Sequence, residues 1–246
     1  PGSISAHINL GKIYKDKNDL INAINHTMEA ISINPKVDNV NLNLAALYKE
    51  LNNYESALFY ANQEIKYNPD NKSAYQLIVE LLKEDKEKLL RGKLTPNLIE
   101  SLLERKDLYH KDIFRYINDL VPLETIKKIE SLGSNLLESK EFKSLSKDNR
   151  IIKSLRLIPF CTPTWENALT QVRRNLILIQ LKDKTDYRNI IEFLISLSSQ
   201  CFLNEYIYNI EEEEENAINQ LLKKISIDDY DEITILLVSL YLPLKD

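Results

Sequence analysis

The 246-residue chain sets 32 Lys and Arg against 37 Asp and Glu, and a net charge of −5 with interspersed signs argues against a nucleic-acid binder. No apolar run reaches the ~18 residues of a membrane span, and four glycines with eight prolines are too few for a fold of many tight turns. With 43% hydrophobic and 28% charged residues, the composition is that of one or two globular domains, and the abundance of Leu, Ile, Lys and Glu makes an all-α fold the expectation.

The first predicted elements come in pairs. INLGKIYKDKNDLINAINHTMEAISINP (Ile8 to Pro35) and LNLAALYKELNNYESALFYANQEIKYNP (Leu42 to Pro69) share a 34-residue offset. Asn9 returns as Asn43, Leu10 as Leu44, Tyr14 as Tyr48, Ala23 as Ala57 and Pro35 as Pro69, while small Gly11 is matched by small Ala45. A period of that length marks stacked supersecondary units. Counted from Ile4 and from Asp38, the small residue falls at position 8, the tyrosine at 11, the alanine at 20 and the proline at 32. The small residues are expected where two antiparallel helices cross, the tyrosine in the gap to the next unit, and the proline at the end of the second helix, where its missing N–H stops the helix.

This pattern resembles the tetratricopeptide repeat, W-x2-L-G-x2-Y…A-x3-F…P. The resemblance implies helical hairpins stacked into a short superhelix. The sequence departs from it at His7 and Asn41 in place of Trp, at Thr27 and Ala61 in place of an aromatic, and at Glu64 where the first unit has Ala30. A third unit opens at Lys72 and loses the pattern after Leu82, so its helix is expected to cap the stack or join it to the next domain. Residues 4–93 are thus assigned to the repeats and cap, and 94–246 to an all-α helical domain. Pro1-Gly2-Ser3 reads as a cloning remnant, with the natural chain and further repeats beginning upstream.

The first helices of such a stack line a concave groove. Position 6 projects into it and places Asn9 and Asn43 one above the other. Each amide offers two donors and an acceptor, enough to bond an extended peptide backbone. The spacing resembles the asparagine ladder of O-linked N-acetylglucosamine transferases. Lys12, Lys15 and Lys49 fall at groove or rim positions beside Asp16 and Glu50, with Ile8 and Leu42 at position 5. A carboxylate clamp for a peptide C-terminus wants Lys at position 5 and Asn at 9, and Ile8 and Lys12 disfavour it. The alternative for Asn9 and Asn43 is plain solvation. The expected partner is a protein or extended peptide, with neither nucleic acid nor membrane involved.

Beyond Leu94 the period disappears but helix signals continue. Thr95-Pro96 supplies an N-cap with proline in the first turn. Further helices are read over LYHKDIFRYINDLV, PLETIKKIESLG, SNLLESKEFKSLS and RIIKSLRLI, and over a long helix from Thr162-Pro163. DYRNIIEFLISLSSQCFLNEYIYNI from Asp186, EENAINQLLKKI and DEITILLVSLYL complete an irregular bundle with apolar residues recurring at three and four. Cys161 and Cys201 both sit in apolar surroundings and read as buried thiols in a reducing compartment, so a cytoplasmic location is expected.

A second resemblance lies in this part. TPTWENALTQVRRNLILIQL, SSQCFLNEYIYNIEEEE and LLVSLYLPL occur in that order. Together they resemble the helical segment that follows tetratricopeptide repeats in bacterial proteins ending in a class I methyltransferase domain. That resemblance implies a domain using S-adenosylmethionine (SAM) elsewhere, with this chain the substrate-presenting or regulatory N-terminal part. Gly2, Gly11, Gly92 and Gly133 are isolated from one another, so the glycine-rich loop such a domain needs is absent. The chain is therefore expected to be non-catalytic by itself and to hold no cofactor. His7, His26 and His110 stand at no metal-ligand spacing, so no metal is expected either.

One polar constellation stands out. Gln200 and Asn204 lie four apart within the apolar run LISLSSQCFLNEYIY, followed by Glu205 and Tyr206. Arg173 and Arg174 on the preceding long helix are the expected partners of Glu205. The group reads either as a buried network fixing helix register or as a pocket rimmed by Arg173, Gln200, Asn204 and Tyr206. The run Glu211 to Glu215 reads as a solvated helix start, where carboxylates complement the helix dipole.

Overall fold

The computed structural model describes residues 3–85, 89–182, 185, 187–206, 209–226 and 231–243. The expected remnant at Pro1-Gly2, the helix opening at Asp186 and the end of the final motif at Leu244 lie outside these residues. Helix is the regular structure throughout, and among the described residues there is no strand. The chain divides into two compact units, Pro1–Ile113 and Phe114–Asp246. The boundary expected near residue 94 thus moves to 113/114.

The first unit opens with α1 (Ile4–Asp16) and α2 (Leu20–Ile33), then α3 (Val40–Glu50) and α4 (Tyr54–Tyr67), then α5 (Lys72–Glu84). The Ser3 hydroxyl accepts the Ala6 N–H at 3.4 Å and caps α1. The two hairpin turns are copies of one another. Asn18 and Asn52 take left-handed φ of 59° and 57°, which Asn tolerates better than most residues. Asp19 then caps α2 and Asn53 caps α4, each accepting an N–H three residues on, at 3.2 and 3.1 Å. Tyr14 stacks on His26 at 5.3 Å between ring centres, and Tyr48 stacks on Tyr60, 34 residues later, at 5.6 Å. These tyrosines therefore pack inside their own hairpins as well as against the cluster of Ala23, Ile24, Leu44 and Leu47 that joins the two units of the repeat.

At position 27 the second hairpin carries Glu64, fully buried. Its carboxylate accepts the N–H groups of Asn39 (2.9 Å) and Leu42 (3.3 Å) and the side-chain amides of Asn68 (2.7 Å) and Asn71 (2.9 Å). Asn39 provides no side-chain cap of its own, so Glu64 caps α3 from the far end of the hairpin. The first unit closes with α6 (Pro96–Glu104), capped by Thr95 with proline in its first turn, and a 3-10 turn at His110–Ile113.

The second unit holds α7 (Phe114–Asn118), α8 (Leu123–Glu130), a 3-10 turn at Gly133–Glu138, α9 (Lys140–Leu145) and α10 (Asn149–Leu157). There follow α11 (Pro163–Lys182), a 3-10 turn at Arg188–Ile190, α12 (Ile191–Leu203), α13 (Glu212–Ser226) and α14 (Glu232–Val238). The twenty-residue α11 runs through the middle, packed on α8 and α13. Phe114, Phe160 and Trp165 meet edge to face at its start, with centre distances of 5.1 and 5.0 Å. Cys201 is buried as expected, but Cys161 is exposed, just before α11 begins.

Candidate functional site

A small hollow of about 50 Å³ lies between the first helices of the two hairpins, α1 and α3. Ile8, Gly11, Lys12, Lys15, Thr27, Val40, Asn43 and Leu47 line it. Sequence reasoning placed Ile8, Lys12, Lys15 and Asn43 together, and the fold brings these four to one spot. Asn9 is exposed but is not part of the lining, so the hollow holds one amide. Leu42 is half-buried, and its N–H is given to Glu64.

Lys15 and Lys49 also take part in ion pairs between successive units of the repeat. Lys15 pairs with Glu50 at 2.9 Å, and Lys49 pairs with Glu84 at 3.1 Å and Glu80 at 2.8 Å. Each lysine at position 12 thus reaches the acid at position 13 of the following unit. Lys83 continues the series toward Asp112 at 3.8 Å. Burial works against the Lys49 charge, but its bonds to Glu80 and Glu84 outweigh this and hold the ammonium above its ordinary value. Lys12, exposed on the rim, is the groove cation outside this ladder.

In the second unit Arg173 and Glu214 are both buried, 3.7 Å apart, and the guanidinium lies over the Tyr241 ring at 4.5 Å. The Tyr241 hydroxyl donates to Glu214 at 2.8 Å, and burial pushes that phenol well up from its usual value. Arg174 pairs with Glu211, and with Glu213 at 3.4 Å. The expected pairing with Glu205 does not form, because α12 ends at Leu203. Glu205 and Tyr206 then turn through left-handed φ of 54° and 56°, leaving Glu205 exposed. The acidic run is likewise not all solvated: Glu214 is buried, and it also accepts the Glu211 N–H at 3.0 Å.

Gln200 is fully buried. Oriented to match its neighbours, its amide donates to the carbonyls of Leu155 (3.2 Å) and Ile158 (2.9 Å) and accepts from Asn204 and from the Phe160 N–H, both at 3.1 Å. This is a register-fixing network between α12 and the chain leaving α10. Of the four proposed pocket residues, Asn204 borders a polar cleft whose lining does not include Arg173, Gln200 or Tyr206. That cleft, of about 710 Å³, is lined by Glu130, Glu166, Asn167, Thr170, Gln171, Asn204, Asn209, Glu211 and Glu214. Sequence reasoning missed it: Glu166, Asn167, Thr170 and Gln171 stand at helical spacing on α11, but Glu130, Asn204 and Glu214, which complete the cleft, come from distant stretches of chain.

The paired turns, stacked tyrosines and ion-pair ladder all repeat in one register, and the sequence comparison agrees with them. Residues 4–37 and 39–71 are tetratricopeptide repeats. No curated protein matches the chain. Tetratricopeptide repeats generally bind proteins or peptides, and here two of them form the start of an all-α chain. Among the described residues no helix is long and apolar enough to cross a membrane.

Proposed function

We propose that the tetratricopeptide hairpins form a protein- or peptide-binding module, fused to a helical unit and non-catalytic by itself. An extended segment lies along α1 and α3, with its backbone held by Asn43, an acidic or carbonyl group met by Lys12, and one short apolar side chain seated over Val40 and Leu47. The observation that supports this is the convergence of Ile8, Lys12 and Asn43 on one hollow between the repeats. The ligand would be gripped through position 6 of the second unit more than by a two-amide ladder.

A phage-displayed random peptide library panned on the whole chain provides the test. Selected peptides should lose roughly tenfold or more in affinity to an Asn43→Ala/Lys12→Ala chain of unchanged melting temperature, a loss of at least ~1.4 kcal/mol. Equal affinity for the two chains would overturn the assignment.

A second reading concerns the other unit. Arg173, Glu214 and Tyr241 come from the three segments that resemble the helical region of tetratricopeptide methyltransferases, and they meet beside the polar cleft. In this reading the cleft shapes the acceptor site of a methyltransferase whose catalytic domain lies elsewhere. The chain alone should then show no retention of S-adenosylmethionine in equilibrium dialysis, and substitution of Asn167 or Gln171 should alter turnover only when that domain is joined to it.

A further inference from the structure

The face of α1 turned away from α3 is built like an internal face of the stack. Leu44 and Ile78 are fully buried where their hairpin or helix packs on the one before, whereas the equivalent Leu10 is 38% exposed. Leu47 and Leu81 are 2% and 0% exposed, whereas the equivalent Ile13 is 48% exposed. The 34-residue register therefore repeats the apolar contacts one step beyond where their partner ends.

Charge follows the same register. Glu50 receives Lys15, and Glu84 receives Lys49. Asp16 holds the same position in the first hairpin; it is exposed, and among the described residues no cation stands within ion-pair range of it.

We propose that the face carrying Leu10, Ile13 and Asp16 receives one more tetratricopeptide hairpin, stacked in line against α1, whose first helix ends in a lysine paired with Asp16. The occupant is fixed by continuity with the two interfaces already present: its second helix covers Leu10 and Ile13 as α2 covers Leu44 and Leu47. The hollow beside Asn43 would then have a companion beside Asn9, and the groove would gain a second amide at position 6.

The test joins a second copy of residues 4–37 directly ahead of residue 4 in the whole chain, preserving the 34-residue register. Amide exchange within α1 should slow roughly tenfold or more, and the thermal midpoint of the first unit should rise by at least about 4 °C. Asp16→Lys should cut that rise in the extended chain and leave the unextended chain unchanged. An added hairpin that melts separately, with α1 exchanging as before, would overturn the proposal. So would an unextended chain that sediments as a dimer with α1 protected, because the occupant would then be a second copy.

Discussion

Gly11 and Thr27 approach so closely that a methyl group on the first would lie 2.9 Å from the hydroxyl of the second. That hydroxyl is not free to swing away, since it donates to the Ala23 carbonyl at 2.8 Å. In the second hairpin the same two positions are Ala45 and Ala61. Alanine is worth up to ~1 kcal/mol over glycine within a helix, so crowding and propensity oppose each other here. Gly11→Ala alone should lower the thermal midpoint. In a Thr27→Ala background the same change should raise it, because the pair then reproduces Ala45 and Ala61. A midpoint that moves the same way in both backgrounds would show that the contact does not govern this crossing.

Glu64→Ala should be among the most damaging single changes in the first unit. It leaves the Asn39 and Leu42 N–H groups and two asparagine amides without their acceptor, at a cost of about 3 kcal/mol. Urea unfolding should show a lower midpoint with an unchanged slope. Glu64→Gln retains one acceptor oxygen and should cost clearly less.

The buried Arg173–Glu214 pair makes a different prediction. Removing one partner takes away the opposite charge that compensates the other in the core, so Arg173→Met and Glu214→Gln should each cost about 3–5 kcal/mol. The double variant should cost much less than the sum. Tyr241→Phe removes one hydrogen bond to a carboxylate and should cost about 1.5–3 kcal/mol. Additive losses in the Arg173/Glu214 cycle would mean that the two groups do not interact.

Asp148 gives a pH-dependent case. It caps α10 and pairs with Arg150 at 2.6 Å. Burial pushes its carboxyl up, but the Arg150 guanidinium and backbone N–H outweigh that and hold it below the usual range. A depressed folded value means that the stabilisation is complete above the unfolded value of ~3.9 and is lost as pH falls through the folded one. Asn can still cap α10, so Asp148→Asn loses chiefly the ion pair with Arg150 and should cost about 0.5 kcal/mol at neutral pH. The gap between the two chains should close as pH falls through the folded value. A gap that stays constant across that range would rule out this electrostatic account.

The helices and hairpins were legible because period and caps are local. The 34-residue offset, the Thr95-Pro96 start and the proline stops at Pro35 and Pro69 are written in short stretches of chain. The ion-pair ladder was legible but overlooked: the doublets Lys15-Asp16, Lys49-Glu50 and Lys83-Glu84 recur at the repeat period, and their acids are as regular as their bases. Glu64 was visible only as a departure from the repeat pattern, and a buried acid at a normally small position is a signal that something nearby lacks an acceptor. The partner of Arg173 was not legible. The apolar pattern of α12 runs on past Leu203, and nothing in it marks the left-handed turn at Glu205 that carries the acid away.

Glu64 has a consequence for how the first unit assembles. The opening amides of α3 are satisfied by a side chain 22 and 25 residues downstream, after α4 has been built. Before α4 docks, α3 begins with bare donors and has little reason to persist at eleven residues, below the ~12–15 at which isolated helices are even marginal. The start of α3 is therefore completed only when α4 docks against it.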